Sequence, residues 1–110
     1  MHKPVDGSAE FDGLSQAAAL KKGRKLARQH FKQGNYQMLT MGLPGPENAE
    51  EVAYTERLKS RYGVVISRTA GCVLSDGILG GAMGYNATMT ELLKERHGVD
   101  VFEEAQKEKL

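Results

Sequence analysis

Tryptophan is absent from these 110 residues, aromatic residues make up 6%, and a single cysteine is present. One thiol cannot close an intramolecular disulfide. That excludes the small cross-linked scaffolds typical of secreted proteins and makes a reducing, cytoplasmic setting the expectation. No apolar run approaches the roughly 20 residues that cross a bilayer. The opening Met1-His2-Lys3-Pro4-Val5-Asp6 lacks the apolar stretch of a signal peptide. No membrane partner is therefore expected. Prolines number three against 13 glycines, and no acidic residue stands between Asp12 and Glu47.

What is present describes an ordinary soluble domain. A chain of 12.0 kDa exposes roughly 6,000 Å² when folded against about 17,400 Å² unfolded, enough burial for one core without a metal or disulfide staple. Apolar residues at 40% and charged residues at 26% agree with that. Residues 1–13 show no period and are expected as a flexible arm, with 14–110 as a single globular domain. Charge is unevenly divided. Residues 1–46 hold seven basic and three acidic side chains, net +4, whereas residues 47–110 hold eight and eleven, net −3.

Periodicity gives the elements. Ala17-Ala18-Ala19-Leu20 starts a helix over about 14–33, with Leu20, Ala27 and Phe31 near one face and Gly34-Asn35 as its stop. Tyr36–Met41 reads as a strand, and Gly42-Leu43-Pro44-Gly45-Pro46 as a loop. Asn48 and Glu51 have the spacing of a capping box. They open a helix over about 49–62 that buries Val52, Leu58 and Tyr62 and is closed by Gly63. Val64-Val65-Ile66 nucleates the second strand, continuing to Cys72. Ser75 or Asp76 caps a helix ending near His97, with an apolar stripe of Ile78, Ala82, Met83, Tyr85, Met89, Leu92 and Leu93. After Gly98, Asp100 and Glu103 suit a capped helix, while Val99–Phe102 suits a short edge strand.

A helix between two strands of one sheet makes those strands parallel. The expected fold is α+β or α/β: a small single domain with about three long helices around a two- or three-stranded sheet with a parallel βαβ core. An internal echo supports a repeated helix–Gly–strand unit, because residues 56–66 and 91–101 agree at six of eleven positions. The plainer account is that basic last turns ending in glycine are common helix C-termini.

Parallel sheets gather functional groups outside the carboxyl ends of their strands. Two loops answer that description, placing Gly42, Glu47, Asn48, Gly71, Cys72, Ser75, Asp76 and Tyr85 as the candidate binding residues. Cys72, Ser75 and Asp76 are the catalytic candidates. Cys72 precedes a helix N-terminus, which favours thiolate, but Ala70, Val73 and Leu74 around it favour a buried neutral thiol, and no histidine belongs to that end of the sheet. Gly77, Gly80, Gly81 and Gly84 match neither a dinucleotide nor a Walker A loop. The expected reason for Gly80 and Gly84 is close approach of another element. Histidines and the cysteine have no metal-ligand spacing, so no metal and no cofactor are expected. Asn86-Ala87-Thr88 spells a glycosylation acceptor but falls inside a helix.

Lys21, Lys25, Arg28 and Lys32 recur every three or four residues as one cationic stripe, with Lys22 and Arg24 beside it. Six such charges suit phosphates, though no aromatic accompanies them for base stacking. The leading expectation is a non-enzymatic cytoplasmic interaction domain, acting as a homo-oligomer such as a homodimer. It would take a small-molecule or protein ligand at the strand-end loops. A thiol-dependent enzyme or redox protein using Cys72 is the alternative, and weak nucleic-acid binding through the basic helix, residues 20–32, is the second alternative.

Overall fold

Side-chain caps start three of the five α-helices in the computed structural model, which describes residues 5–41, 49–70 and 75–107. After a short helix α1 (Gly7–Glu10), the Ser15 hydroxyl accepts from the Ala18 N–H and opens α2 (Gln16–Lys32). Strand β1 (Tyr36–Met41) follows. Helix α3 (Ala49–Arg57) passes into a π-helical turn, Leu58–Tyr62, and then strand β2 (Val64–Ala70). Ser75 accepts from the Ile78 N–H to open α4 (Asp76–His97). Asp100 Oδ1 accepts from the N–H groups of Phe102 and Glu103, which starts α5 (Val101–Lys107). The tail is therefore the capped helix, not the edge strand.

The result is a small, helix-rich α+β chain whose described residues hold one two-stranded parallel sheet. Tyr36 lies opposite Val64 and Leu39 opposite Ser67, with the register shifting between Thr40 and Met41. Two helices are long, α2 at 17 residues and α4 at 22, whereas α3 has nine. The third long helix of the sequence reading is shortened because its last turn widens to π geometry from Leu58.

Helix α4 is the axis of the molecule. A Cβ added at Gly80 would collide with the carbonyl oxygen of Gln16, one at Gly84 with that of Leu20, and one at Gly23 with that of Gly81. The contacts advance in step along both helices, so α2 and α4 run parallel with their backbones touching. Ala19, Gly23 and Ala27 form the buried line of α2. Leu20 stands beside that line, only half-buried, because backbone contact leaves room for nothing larger than a methyl group. A Cβ at Gly81 would overlap the Phe11 ring. Each glycine weakens a helix by about 1 kcal/mol relative to alanine. Burying a phenylalanine fully returns about 1.5–3 kcal/mol, so the Phe11 contact alone outweighs the defect at Gly81.

Three sequence expectations differ from this packing. The stretch expected as an arm contributes Val5 and Phe11 to the core, at 4% and 0% exposure, and the Val5 N–H donates to Gln37 Oε1. Met83 is 54% exposed instead of buried. The first half of α4 is enclosed by α1, α2 and β1, and the solvent line that remains passes through Asp76, Met83 and Ala87. Val52 is 46% exposed because α3 packs through the flank carrying Tyr54, Arg57 and Leu58. Arg57 Nε donates to the Ala105 carbonyl at 2.7 Å, tying that flank to α5. The echo holds only for its helix ends. Gly63 and Gly98 both end a helix with φ of 69° and 77°, but a strand follows the first and a helix the second.

The glycine interface makes a directional prediction. Gly84→Ala gains about 1 kcal/mol of helix propensity but forces the two backbones apart, at about 1–3 kcal/mol for an overpacked core. Urea unfolding should show a net loss of stability for Gly84→Ala and again for Gly23→Ala. An increase in midpoint would mean that the helices are not in backbone contact.

Candidate functional site

Because β1 and β2 are parallel and Met41 pairs with Ala70, both strands end at the same edge of the sheet. Of the residues expected there, Gly42, Glu47, Asn48, Gly71 and Cys72 lie outside the described residues. Ser75 and Asp76 are described. The Ser75 hydroxyl is occupied in capping α4, and Asp76 is exposed in the first turn, where a carboxylate complements the helix dipole. Tyr85 sits nine residues further along α4, roughly 13–14 Å of axial rise. It is fully buried and is not brought beside Ser75.

Tyr85 instead shares a hydrogen bond of 2.8 Å with His30 Nδ1, the two rings meeting edge to face at 5.5 Å. Burial pushes the Tyr85 hydroxyl well above the ordinary tyrosine range. Tyr54 is raised as well, by burial first and then by the Asp100 carboxylate, with Arg57 opposing. Among the described residues no three His, Cys, Asp or Glu side chains gather as metal ligands would.

The next residue, Asn86, closes one edge of the sheet. Its Oδ1 accepts from the Leu39 N–H at 2.7 Å and its Nδ2 donates to the Leu39 carbonyl at 2.9 Å. A side-chain amide thus takes the place of a neighbouring strand. Either Leu39 group left buried without a partner would cost about 1–3 kcal/mol. The amide that spells a glycosylation acceptor in the sequence is committed to this pairing. Its only sequence signal is an indifferent helix former in the middle of a helix.

The orientation of Leu39 fixes the remaining edge. Backbone groups of successive strand residues turn to opposite sides. Leu39 faces Asn86, so Met38 and Thr40 face β2, and Val65 and Ser67 face β1. Val64, Ile66 and Arg68 then turn their N–H and C=O groups away from β1; Val64 is fully buried, whereas Ile66 is part-buried and Arg68 exposed. Those groups have no hydrogen-bond partner among the described residues. Val65 is 47% exposed on the same strand.

A second distinct surface is the outside of α2. Lys21, Lys22, Arg24, Lys25, Arg28 and Lys32 are all exposed, as the sequence stripe implies. Lys22 pairs with Glu10 at 3.3 Å. Among the described residues, no helix is long and apolar enough to cross a membrane.

Tyr85 supplies a test of the core polar pair. Its folded pKa lies above the unfolded value of 10.0. Its contribution to stability is therefore complete below pH 10 and falls as pH rises beyond it, because only the unfolded chain readily releases the proton. Tyr85→Phe should lose about 1 kcal/mol at neutral pH and flatten the alkaline decline in denaturation midpoint. An unchanged alkaline limb in that variant would place the ionising group elsewhere.

The chain matches no family model, no curated protein and no solved structure, which leaves the two surfaces above as the guides to function.

Proposed function

We propose that this chain is a cytoplasmic interaction domain that pairs with a second copy of itself through the outer edge of β2, extending two strands to four. The unequal treatment of the two sheet edges carries this reading. At Leu39 the edge of β1 is closed by Asn86, whereas the edge of β2 leaves the outward N–H and C=O groups of Ile66 and Arg68 unpaired at partly or fully exposed positions. Two strands alone are a marginal sheet. Folded proteins blunt such edges with lysine, proline or a bulge. Val64-Val65-Ile66-Ser67 carries no lysine or proline, and the register shift lies beyond it at Thr40 and Met41.

A second copy suits this edge better than a foreign strand. A twofold axis across β2 sets two identical edges antiparallel, so that every donor of one meets an acceptor of the other. The segment is uncharged from Val64 to Ser67. Pairing centred on Ile66 sets Ile66 against its own copy and carries the two Arg68 side chains to opposite ends of the ladder. Cross-strand apolar pairs of this kind add roughly 0.2–1 kcal/mol each.

Sedimentation equilibrium from micromolar to millimolar protein should give a mass approaching twice 12.0 kDa. Val65→Lys leaves a half-exposed position in the monomer able to reach water, while placing like charges across the twofold. It should return the mass to that of one chain, with the circular dichroism spectrum retained. A wild-type monomer throughout the range, or a dimer unmoved by Val65→Lys, would rule out pairing through β2.

A further inference from the structure

We infer that the outer face of α2 binds the phosphate backbone of a double-stranded nucleic acid. Lys21, Arg24, Lys25, Arg28 and Lys32 fall within an arc of roughly 100° and along roughly 17 Å of helix. All are exposed, and none of these five has an ion-pair partner among the described residues. Only Lys22, off the side of that arc, is neutralised, by Glu10. No acidic residue occurs anywhere in α2 to relieve the crowding. Like charges three and four residues apart weaken a helix. The stripe is thus a burden on the free domain that a polyanion would lift.

Two observations choose among polyanions. The other side of α2 is fixed against α4 by backbone contact at Gly23, Gly80 and Gly84, so the cations cannot turn inward. That contact also engages the apolar side of the helix. The exposed residues of α2 are Gln16, Ala17, Ala18, Gln29 and the cations, with no aromatic or large apolar side chain to enter a bilayer. The same lack of an exposed aromatic leaves nothing on which the bases of a single strand would stack. A duplex asks for neither. It presents one negative charge per roughly 1.7 Å of axis, a dense and regular match for a straight row of cations. Such contacts fix affinity and orientation without reading sequence.

The test titrates full-length protein against a fluorescent 20-base-pair duplex, of unrelated sequences in turn, between about 20 and 200 mM salt, a range over which phosphate contacts lose orders of magnitude in affinity. Five phosphate contacts predict a log–log slope of about −4.5 for B-form DNA, the same for each sequence. Lys21→Gln with Arg28→Gln should flatten the slope by about two units. It should also leave the melting temperature equal or higher, since like-charge pairs are removed. Lys59→Gln, on the π-helical turn, should leave the slope unchanged. Absence of binding at the lowest salt would overturn the inference, as would a slope indifferent to the α2 substitutions. Equal or tighter binding to single strands, to vesicles of phosphatidylserine and phosphatidylcholine, or to poly-glutamate at matched charge would overturn it too.

Discussion

Backbone contact between α2 and α4 determines where every other element of this chain sits. With no Cβ at Gly23, Gly80 or Gly84, the carbonyls of Gln16, Leu20 and Gly81 lie where side chains would normally hold two helices apart. The helices gain contact along their length and lose the freedom to rotate against each other, because any rotation would bring a side chain into the seam. On its remaining sides α4 receives Phe11 against Gly81 and presents Asn86 to Leu39. The sheet is thus tied to α4 by the Asn86 amide at Leu39 and by Arg96, which donates to the Tyr36 hydroxyl, and α2 by a row of missing side chains.

That constraint divides the surface. An amphipathic helix usually buries large apolar side chains, leaving a polar face that mixes both signs. Here the buried side of α2 is Ala19, Gly23 and Ala27, and every charged residue of the outer side is cationic. The six charges have nowhere to go but outward. In the same way, occupation of the Leu39 edge by Asn86 leaves β2 as the open side of the sheet. The two surfaces differ in chemistry: one is a charged helix, the other an uncharged strand edge. Salt would weaken contacts at the first and leave the second largely unaffected.

The helices and strands were legible in the sequence wherever local chemistry decides them. Ser75 and Asp100 cap the helices they precede, and the β-branched run at Val64 is a strand. The ambiguous tail shows the limit of pattern. Val99-Asp100-Val101-Phe102 fits either state until one knows whether the carboxylate of Asp100 turns back onto the following N–H groups, and it does. Burial was less legible. Met83 and Val52 belong to apolar patterns yet face solvent, since the pattern cannot say how many sides of a helix are enclosed. Phe11 and Val5 fall in a stretch without period and are buried by long-range contacts. Of the candidate site, Ser75 and Asp76 form the start of α4, whereas Tyr85 belongs to the core with His30. A helical position half-way along α4 looks the same in sequence whether it lines a cleft or fills an interior.

The two proposed surfaces reinforce each other by mass action. A pair formed through β2 carries two α2 faces, and a duplex long enough to meet both is held by two cationic rows instead of one. The second contact is then intramolecular and benefits from a high effective concentration. A ligand that engages the pair more tightly than the single chain must shift association toward the pair by the same factor. A weak strand-edge dimer and a weak, sequence-blind electrostatic contact would then give firm binding only together. A short duplex that reaches one row would bind with the single-row affinity whatever the state of the β2 edge. The dependence on duplex length therefore reports the coupling between the surfaces, separately from the strength of either one.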